Sequence, residues 1–312
     1  MIGKAYIKER LKNGEVLTWG TLRICEPALA EMMAIAGIDI LVIDYAHYPF
    51  DEEKLCNIIR AADIYHTACI VRVDSPEPGM IGKVLECGAE GIQLALLSTA
   101  KQARALVDAV KFGPIGKRGL CPVTRAAGCG LAGLDYEEFA RLSNEQTIIV
   151  GQVETKEGIE NLDEILAIPE IDIFCGGKSD LSASYGFPGQ NDHPLVVGAT
   201  EDMKNKVKAA GKYLVTKANT CEEIEALRKE GAAIIGFSSD QQIIEALCSD
   251  YAVVSNQWSL PGNVQYNDQI VGFDYDPEKR SRCLPRLDIR TVFPSPSPQD
   301  PMTWRWMCAR FL

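Results

Sequence analysis

The chain has 312 residues and a formal net charge of −11 at pH 7. That acidity argues against nucleic acid or an anionic membrane as the main partner, since either would be repelled. An anionic small molecule stays allowed, because a local arginine or a bound metal reverses the field inside a pocket. Hydrophobic content of 46% and charged content of 24% are those of an ordinary globular protein.

The start, MIGKAYIKERLKNGEVL, carries charges throughout and no apolar core segment, so no signal peptide is expected. No apolar run reaches the roughly 18 residues of a membrane helix. Short runs rich in Val, Ile and Leu then alternate with amphipathic segments. The first predicted strand is 16–22, followed by a helix over 26–37 that opens on acid and closes on Gly. A strand at 39–44 leads to a helix at 51–66, and strands follow at 68–73 and 91–96. A helix over 99–112 runs into a loop, 113–135, rich in Gly and small residues. Loops of that length inside a compact domain are usually functional. Strands at 147–153, 171–176 and 213–218, a helix at 220–231 and a last strand at 232–237 complete the rhythm. Most strands are near-continuous apolar runs, as strands buried on both faces are.

Eight strands separated by helices imply parallel order. The fold class is therefore α/β, a (β/α)8 TIM barrel with parallel strands, which needs about 250 residues. An open doubly wound sheet is the alternative, but RICEPALAE after the first strand lacks the glycine fingerprint of that fold. The expected domains are a barrel over 1–257 and an irregular, Pro-bearing C-terminal extension over 258–312. Eleven cysteines lie scattered from Cys25 to Cys308 without a C-x-x-C pair, which reads as reduced thiols in a cytoplasmic protein.

Catalytic groups of such barrels come from the C-terminal ends of strands and the loops after them. Asp44 and His47 follow the second strand, Arg72 the third and Gln93 the fourth. Gln152 and Glu154 end the fifth, and Ser179 and Asp180 follow the sixth. Two carboxylates on adjacent strands can share a hard divalent cation such as Mg or Mn, with water and substrate oxygens completing the shell. An oxoacid of the pyruvate type chelates such an ion. Arg72 would stabilise an enolate oxygen. His47, oriented by Asp44, would be a general base. Ser179 and nearby backbone N–H groups would hold the substrate carboxylate. Taken singly, each residue has a plainer role: Asp180 as a helix cap, Arg72 in a salt bridge, His47 at the surface, Lys178 solvated in a loop.

At these residues the sequence resembles the HpcH/HpaI aldolase family, the metal-dependent class II pyruvate aldolases. The resemblance covers about 10–250 and rests on ILVIDYAHYPFD, VRVDSPEPGMIGKVLECGAEGIQL, GPIGKRGLCPVTRAAGCG, GQVETKEGIENLDEI and FCGGKSDLSAS, in that order. It implies Glu154 and Asp180 as metal ligands for Mg, Mn or Co, and Arg72 at the pyruvyl oxygen. Asp44 and His47 become the proton-transfer pair, and Gln152, Ser179 and Leu181 contact the oxoacid. It implies reversible cleavage of a 4-hydroxy-2-oxo acid to pyruvate and an aldehyde, with the loop 113–135 shaping the aldehyde side. It also implies a homo-oligomer, commonly a hexamer or trimer of dimers, that exchanges a final helix, here about 238–257. Two departures stand beside the site. Tyr45-Ala46 replaces the usual Gly-Glu, and Lys178 replaces a usual Pro. They keep two alternatives open: a related enolate-using synthase or decarboxylase acting on oxaloacetate, and a non-catalytic aldolase-like protein.

Overall fold

The computed structural model describes residues 6–49, 51–131, 133 and 135–241. The expected extension 258–312 and most of the expected final helix lie outside the described residues. Eight strands form the sheet: β1 (Leu17–Leu22), β2 (Ile40–Asp44), β3 (Ala68–Val73), β4 (Gly91–Leu94), β5 (Ile148–Gln152), β6 (Ile173–Cys175), β7 (Tyr213–Lys217) and β8 (Ile234–Ser239). Each pairs in parallel with the next, and β8 pairs with β1, closing the barrel in sequence order. All eight predicted strands are present, most of them shorter by a residue or more. The open sheet is thereby excluded.

The helices are α1 (Ile7–Lys12), α2 (Pro27–Ile35), α3 (Glu52–Asp63), α4 (Pro78–Glu86), α5 (Ala100–Val110), α6 (Tyr136–Gln146), α7 (Lys156–Glu160), α8 (Leu162–Leu166), α9 (Lys178–Ser184), α10 (Pro194–Ala209) and α11 (Cys221–Lys229). Their starts are chemically marked. Asp51 accepts from Lys54 N at the head of α3, and Thr99 and Gln102 form a reciprocal capping box at the head of α5. Among the described residues no helix is long and apolar enough to cross a membrane.

The inward face of the barrel is packed from below. Ile40 and Val42 of β2, Ala68 and Ile70 of β3, Ile148 and Val150 of β5, and Ile173 of β6 form one buried cluster with Leu17, Trp19 and Ile234. Ile7 and Leu11 of α1 join it, 2% and 4% exposed. Since α1 leads into the N-terminal end of β1, it plugs the bottom of the barrel. Near the same end, the Lys111 ammonium donates to the carbonyls of Asn144 and Thr147, tying the end of α5 to the end of α6.

Two expectations change here. Cys56 of α3 and Cys87, which caps α4, form a disulfide with a Cα separation of 5.2 Å. Their 31-residue spacing is set by helix packing and carries no sequence pattern. The reading of reduced thiols fails for this pair. Second, the loop 113–135 is tethered at the bottom. Arg125 donates to the Cys87 carbonyl at 2.8 Å and pairs with Asp63, and Ala126 N–H reaches the Glu86 carbonyl. Helices that follow parallel strands run back down, so the ends of α3 and α4 lie away from the catalytic rim. This part of the loop therefore does not border the rim of its own barrel.

Truncating the plug should cost stability without touching chemistry. Leu11→Ala should lower unfolding free energy by about 2–5 kcal/mol in urea titration, with kcat unchanged. Burial pushes the Lys111 ammonium down to about 7, with nearby Lys8 adding to the effect. The unfolded chain, with the ordinary lysine pKa near 10.5, therefore binds a proton that the folded chain lacks between those values. Stability must rise with pH across that window. The unfolding free energy of the wild type relative to Lys111→Met should accordingly increase from pH 7 to pH 10, as read by denaturant midpoints.

Candidate active site

Side chains alternate across a strand, so residues two apart share a face. The apolar inward rows just described continue upward into Asp44 on β2, Arg72 on β3, Gln93 on β4 and Gln152 on β5. Parallel register sets Asp44 beside Arg72 and Arg72 beside Gln93. The barrel interior thus changes from apolar to polar at its C-terminal mouth.

Asp44 is fully buried. Arg72 grips it with two donors: Nε to Oδ1 at 3.0 Å, and Nη2 to Oδ2. This fork fixes the guanidinium plane and leaves Nη1 without a partner among the described residues. His47 is exposed, and its link to Asp44 runs through its backbone N–H at 3.3 Å, not through the imidazole. The expected carboxylate–imidazole pair is therefore absent. Asp44 orients Arg72 instead, because the guanidinium fork already takes both of its oxygens.

A second chain of hydrogen bonds crosses the mouth. Gln93 Nε2 donates to Gln152 Oε1, and Gln152 Nε2 donates to Glu154 Oε2 at 2.5 Å. The other oxygen, Oε1, accepts from Leu96 N–H at 3.3 Å. Leu96 has φ 52°, a left-handed conformation that costs a residue with a Cβ about 1–2 kcal/mol; it turns that N–H toward the carboxylate. Asp180, in the first turn of α9, brings its Oδ2 to the same place. An ideal Cβ on Gly177 would lie 2.1 Å from Glu154 Oε2 and 3.6 Å from Asp180 Oδ2. Glycine is needed at 177, since any side chain would occupy the space between the two carboxylates. Burial raises the Glu154 pKa and Asp180 adds to the rise, against the opposing hydrogen bonds from Gln152 and Leu96 and the charge of Arg72.

This donor set suits a hard divalent cation. Glu154 is 1% exposed and adjacent to a like charge, an arrangement that a cation relieves. Gln93 Oε1 is buried with no hydrogen-bond partner among the described residues, an acceptor for a water or a ligand hydroxyl. Among the described residues no three His, Cys, Asp or Glu side chains converge. Two carboxylates would therefore leave the remaining positions to water and substrate oxygens, as Mg-type sites do.

Ser179 is exposed in the first turn of α9, where backbone N–H groups have no intrahelical acceptor. Leu181 differs from expectation. It is 3% exposed and its N–H already donates to the Gly177 carbonyl at 3.0 Å. Its contribution is packing, because the helix has closed its first turn by that residue. Lys178 is exposed at the first position of the same helix.

Two participants escaped the sequence reading. Leu96 and Gly177 act through backbone geometry, of which only the glycine pair at 176–177 gave a hint.

The family model for HpcH/HpaI aldolase/citrate lyase matches residues 22–246. The chain is 35% identical over 206 residues to the 2-keto-3-deoxy-L-rhamnonate aldolase of Escherichia coli strain K12, covering 66% of this chain and 76% of that one. It is 29% identical over 236 residues to the 2-dehydro-3,6-dideoxy-6-sulfogluconate aldolase of Pseudomonas putida, covering 76% and 90%. Among solved structures, the citrate synthase SbnG is similar with a TM-score of 0.70 at 28% identity, covering 78% of this chain and 94% of that one.

Removing the Gln152 amide strands a buried carboxylate and a buried Gln93 donor together. Gln152→Leu should weaken Mn binding by about 10- to 100-fold in calorimetric titration, with the barrel intact by circular dichroism.

Proposed function

The chain belongs to the HpcH/HpaI aldolase/citrate lyase family, and from that membership we infer that it is a carbon–carbon lyase of the aldolase type, cleaving a 4-hydroxy-2-oxo acid reversibly to pyruvate and an aldehyde. The observation that carries this reading is the meeting of Glu154 and Asp180 over Gly177, on the same rim as the forked Arg72. A divalent cation such as Mg, Mn or Co, held by these two carboxylates, would polarise the 2-oxo group and balance charge developing there.

The chain's own groups would do the rest. The Ser179 hydroxyl and the first-turn N–H groups of α9 receive the substrate carboxylate. Gln152 and Gln93 hold Glu154 in place. His47, from the open rim and through water, takes the proton of the 4-hydroxyl. The C3–C4 bond then breaks, its electron pair passing into the enolate as the aldehyde leaves. The free donors of Arg72 face the enolate oxygen, and Asp44 keeps the guanidinium from turning away. Return of the proton to C3 gives pyruvate. The same resemblance supports a cytoplasmic homo-oligomer.

A second reading is a synthase using the same enolate with oxaloacetate. It is favoured by the likeness to a citrate synthase structure and by Tyr45-Ala46 in place of Gly-Glu. Product analysis with oxaloacetate separates the two, since a synthase consumes it into a longer acid without releasing an aldehyde.

The lyase reading predicts release of pyruvate from 4-hydroxy-2-oxo acids with Mn or Mg, abolished by a chelator. Glu154→Gln and Asp180→Asn should lose both metal binding and turnover. Arg72→Lys, which cannot form the fork, should keep metal affinity and lose about 10²–10³-fold in kcat. Turnover that survives both Glu154→Gln and chelation would sink the reading.

A further inference from the structure

Leu96 gives its N–H to Glu154 from a left-handed conformation that a residue with a Cβ does not keep unaided. Its side chain is 48% exposed and supplies little of the hold. The hold comes from the backbone on either side. Ala95 N–H donates to the Val73 carbonyl of β3, and Leu97 N–H to the Gln152 carbonyl of β5, both at 2.9 Å. The Leu96 carbonyl belongs to the same peptide plane as the Leu97 N–H. It accepts from the Ser98 hydroxyl at 2.9 Å. That plane is therefore pinned at both ends.

The direction of the hydroxyl bonds follows from counting protons. A carbonyl only accepts, so the Ser98 proton is committed to Leu96. Ser98 Oγ lies 2.6 Å from Thr155 Oγ1 and must accept from it. Thr155 Oγ1 in turn accepts from Gly158 N–H at 2.9 Å, at the head of α7. One directed chain thus runs from α7 through two hydroxyls to the Leu96 carbonyl. Its surroundings are tight. Ser98 is 7% exposed, and Asn161 Nδ2 donates to its carbonyl at 2.9 Å. A Cβ on Gly158 would lie 2.7 Å from the Leu97 carbonyl oxygen and 3.0 Å from Thr155 Oγ1, so α7 approaches the turn as closely as glycine permits. Thr155 also follows Glu154 directly in the chain. One tie therefore fixes both the donor and the carboxylate it serves.

We propose that Ser98 is a positioning residue for the metal-binding carboxylate: its hydroxyl, oriented by Thr155, locks the Leu96–Leu97 peptide and so keeps the Leu96 N–H on Glu154. This rests on the reading of Glu154 as a metal ligand.

The test is calorimetric titration of the full chain with Mn, beside thermal melting of the metal-free protein. Ser98→Ala should weaken Mn binding about tenfold, whereas Thr155→Ser, which keeps the hydroxyl, should bind as the wild type does. The deciding comparison uses a Leu96→Gly background. Glycine takes the left-handed conformation without steric cost, so adding Ser98→Ala there should change Mn affinity by less than about twofold, within the usual error of additivity. If Ser98→Ala melts too low to titrate, Ser98→Cys, close in size but a weak donor, should show the same dependence on background. Equal losses in both backgrounds would overturn the proposal, since the hydroxyl then serves only the packing of the loops. So would an Mn affinity that Ser98→Ala leaves unchanged. If the wild type itself binds no Mn, the metal-ligand reading has failed, and the proposal falls with it.

Discussion

A closed parallel barrel offers an inward-facing polar side chain one place to meet water or a ligand, the mouth above its packed interior. Here the interior is apolar up to Val42, Ile70 and Val150. One step higher the same rows carry Asp44, Arg72 and Gln152. That single change of character, imposed by the two-residue period, assembles groups from separate strands into one surface. Everything else at the site follows from it, because Glu154, Leu96 and Asp180 are held at the same rim by the loops that leave those strands.

The polar layer is electrostatically divided. On the β2–β3 side, Asp44 and Arg72 neutralise one another through a fork, which stiffens both and offers the remaining guanidinium donors to a ligand. On the β5–β6 side, two carboxylates face the same space, with a glutamine chain and a strained backbone N–H supporting the buried one. Glu154 is buried and Asp180 stands exposed beside it, so the cost of the like charges falls on the buried carboxylate, and a cation between them would relieve it. The two sides of the mouth therefore differ in charge, guanidinium donors facing one part of it and carboxylates the other.

Stability and chemistry occupy opposite ends. At the bottom, α1 plugs the barrel, Lys111 bridges the ends of two helices, and Cys56–Cys87 joins α3 to the end of α4. The long loop is anchored there by Arg125. The mouth is thereby free of the duty of holding the barrel shut, and its strained and like-charged features are tolerated because the packing beneath them is complete.

The alternation of apolar runs with amphipathic segments was enough to determine eight parallel strands, since each crossover demands a helix and each strand buried on both faces shows a continuous apolar run. The position of Asp44, Arg72, Gln152, Glu154 and Asp180 after successive strands was equally legible, because strand ends in such a barrel all meet at one rim. What hydrogen-bonds to what was not. The Asp44–Arg72 fork in place of an Asp44–His47 imidazole contact depends on register between β2 and β3. The closed N–H of Leu181 depends on where α9 begins. Leu96 acts through its backbone dihedral, and Cys56 meets Cys87 only because two helices pack side by side. Local pattern specifies which face a residue takes; distance between residues far apart in the chain is decided by closure of the sheet, and only the tertiary structure contains it.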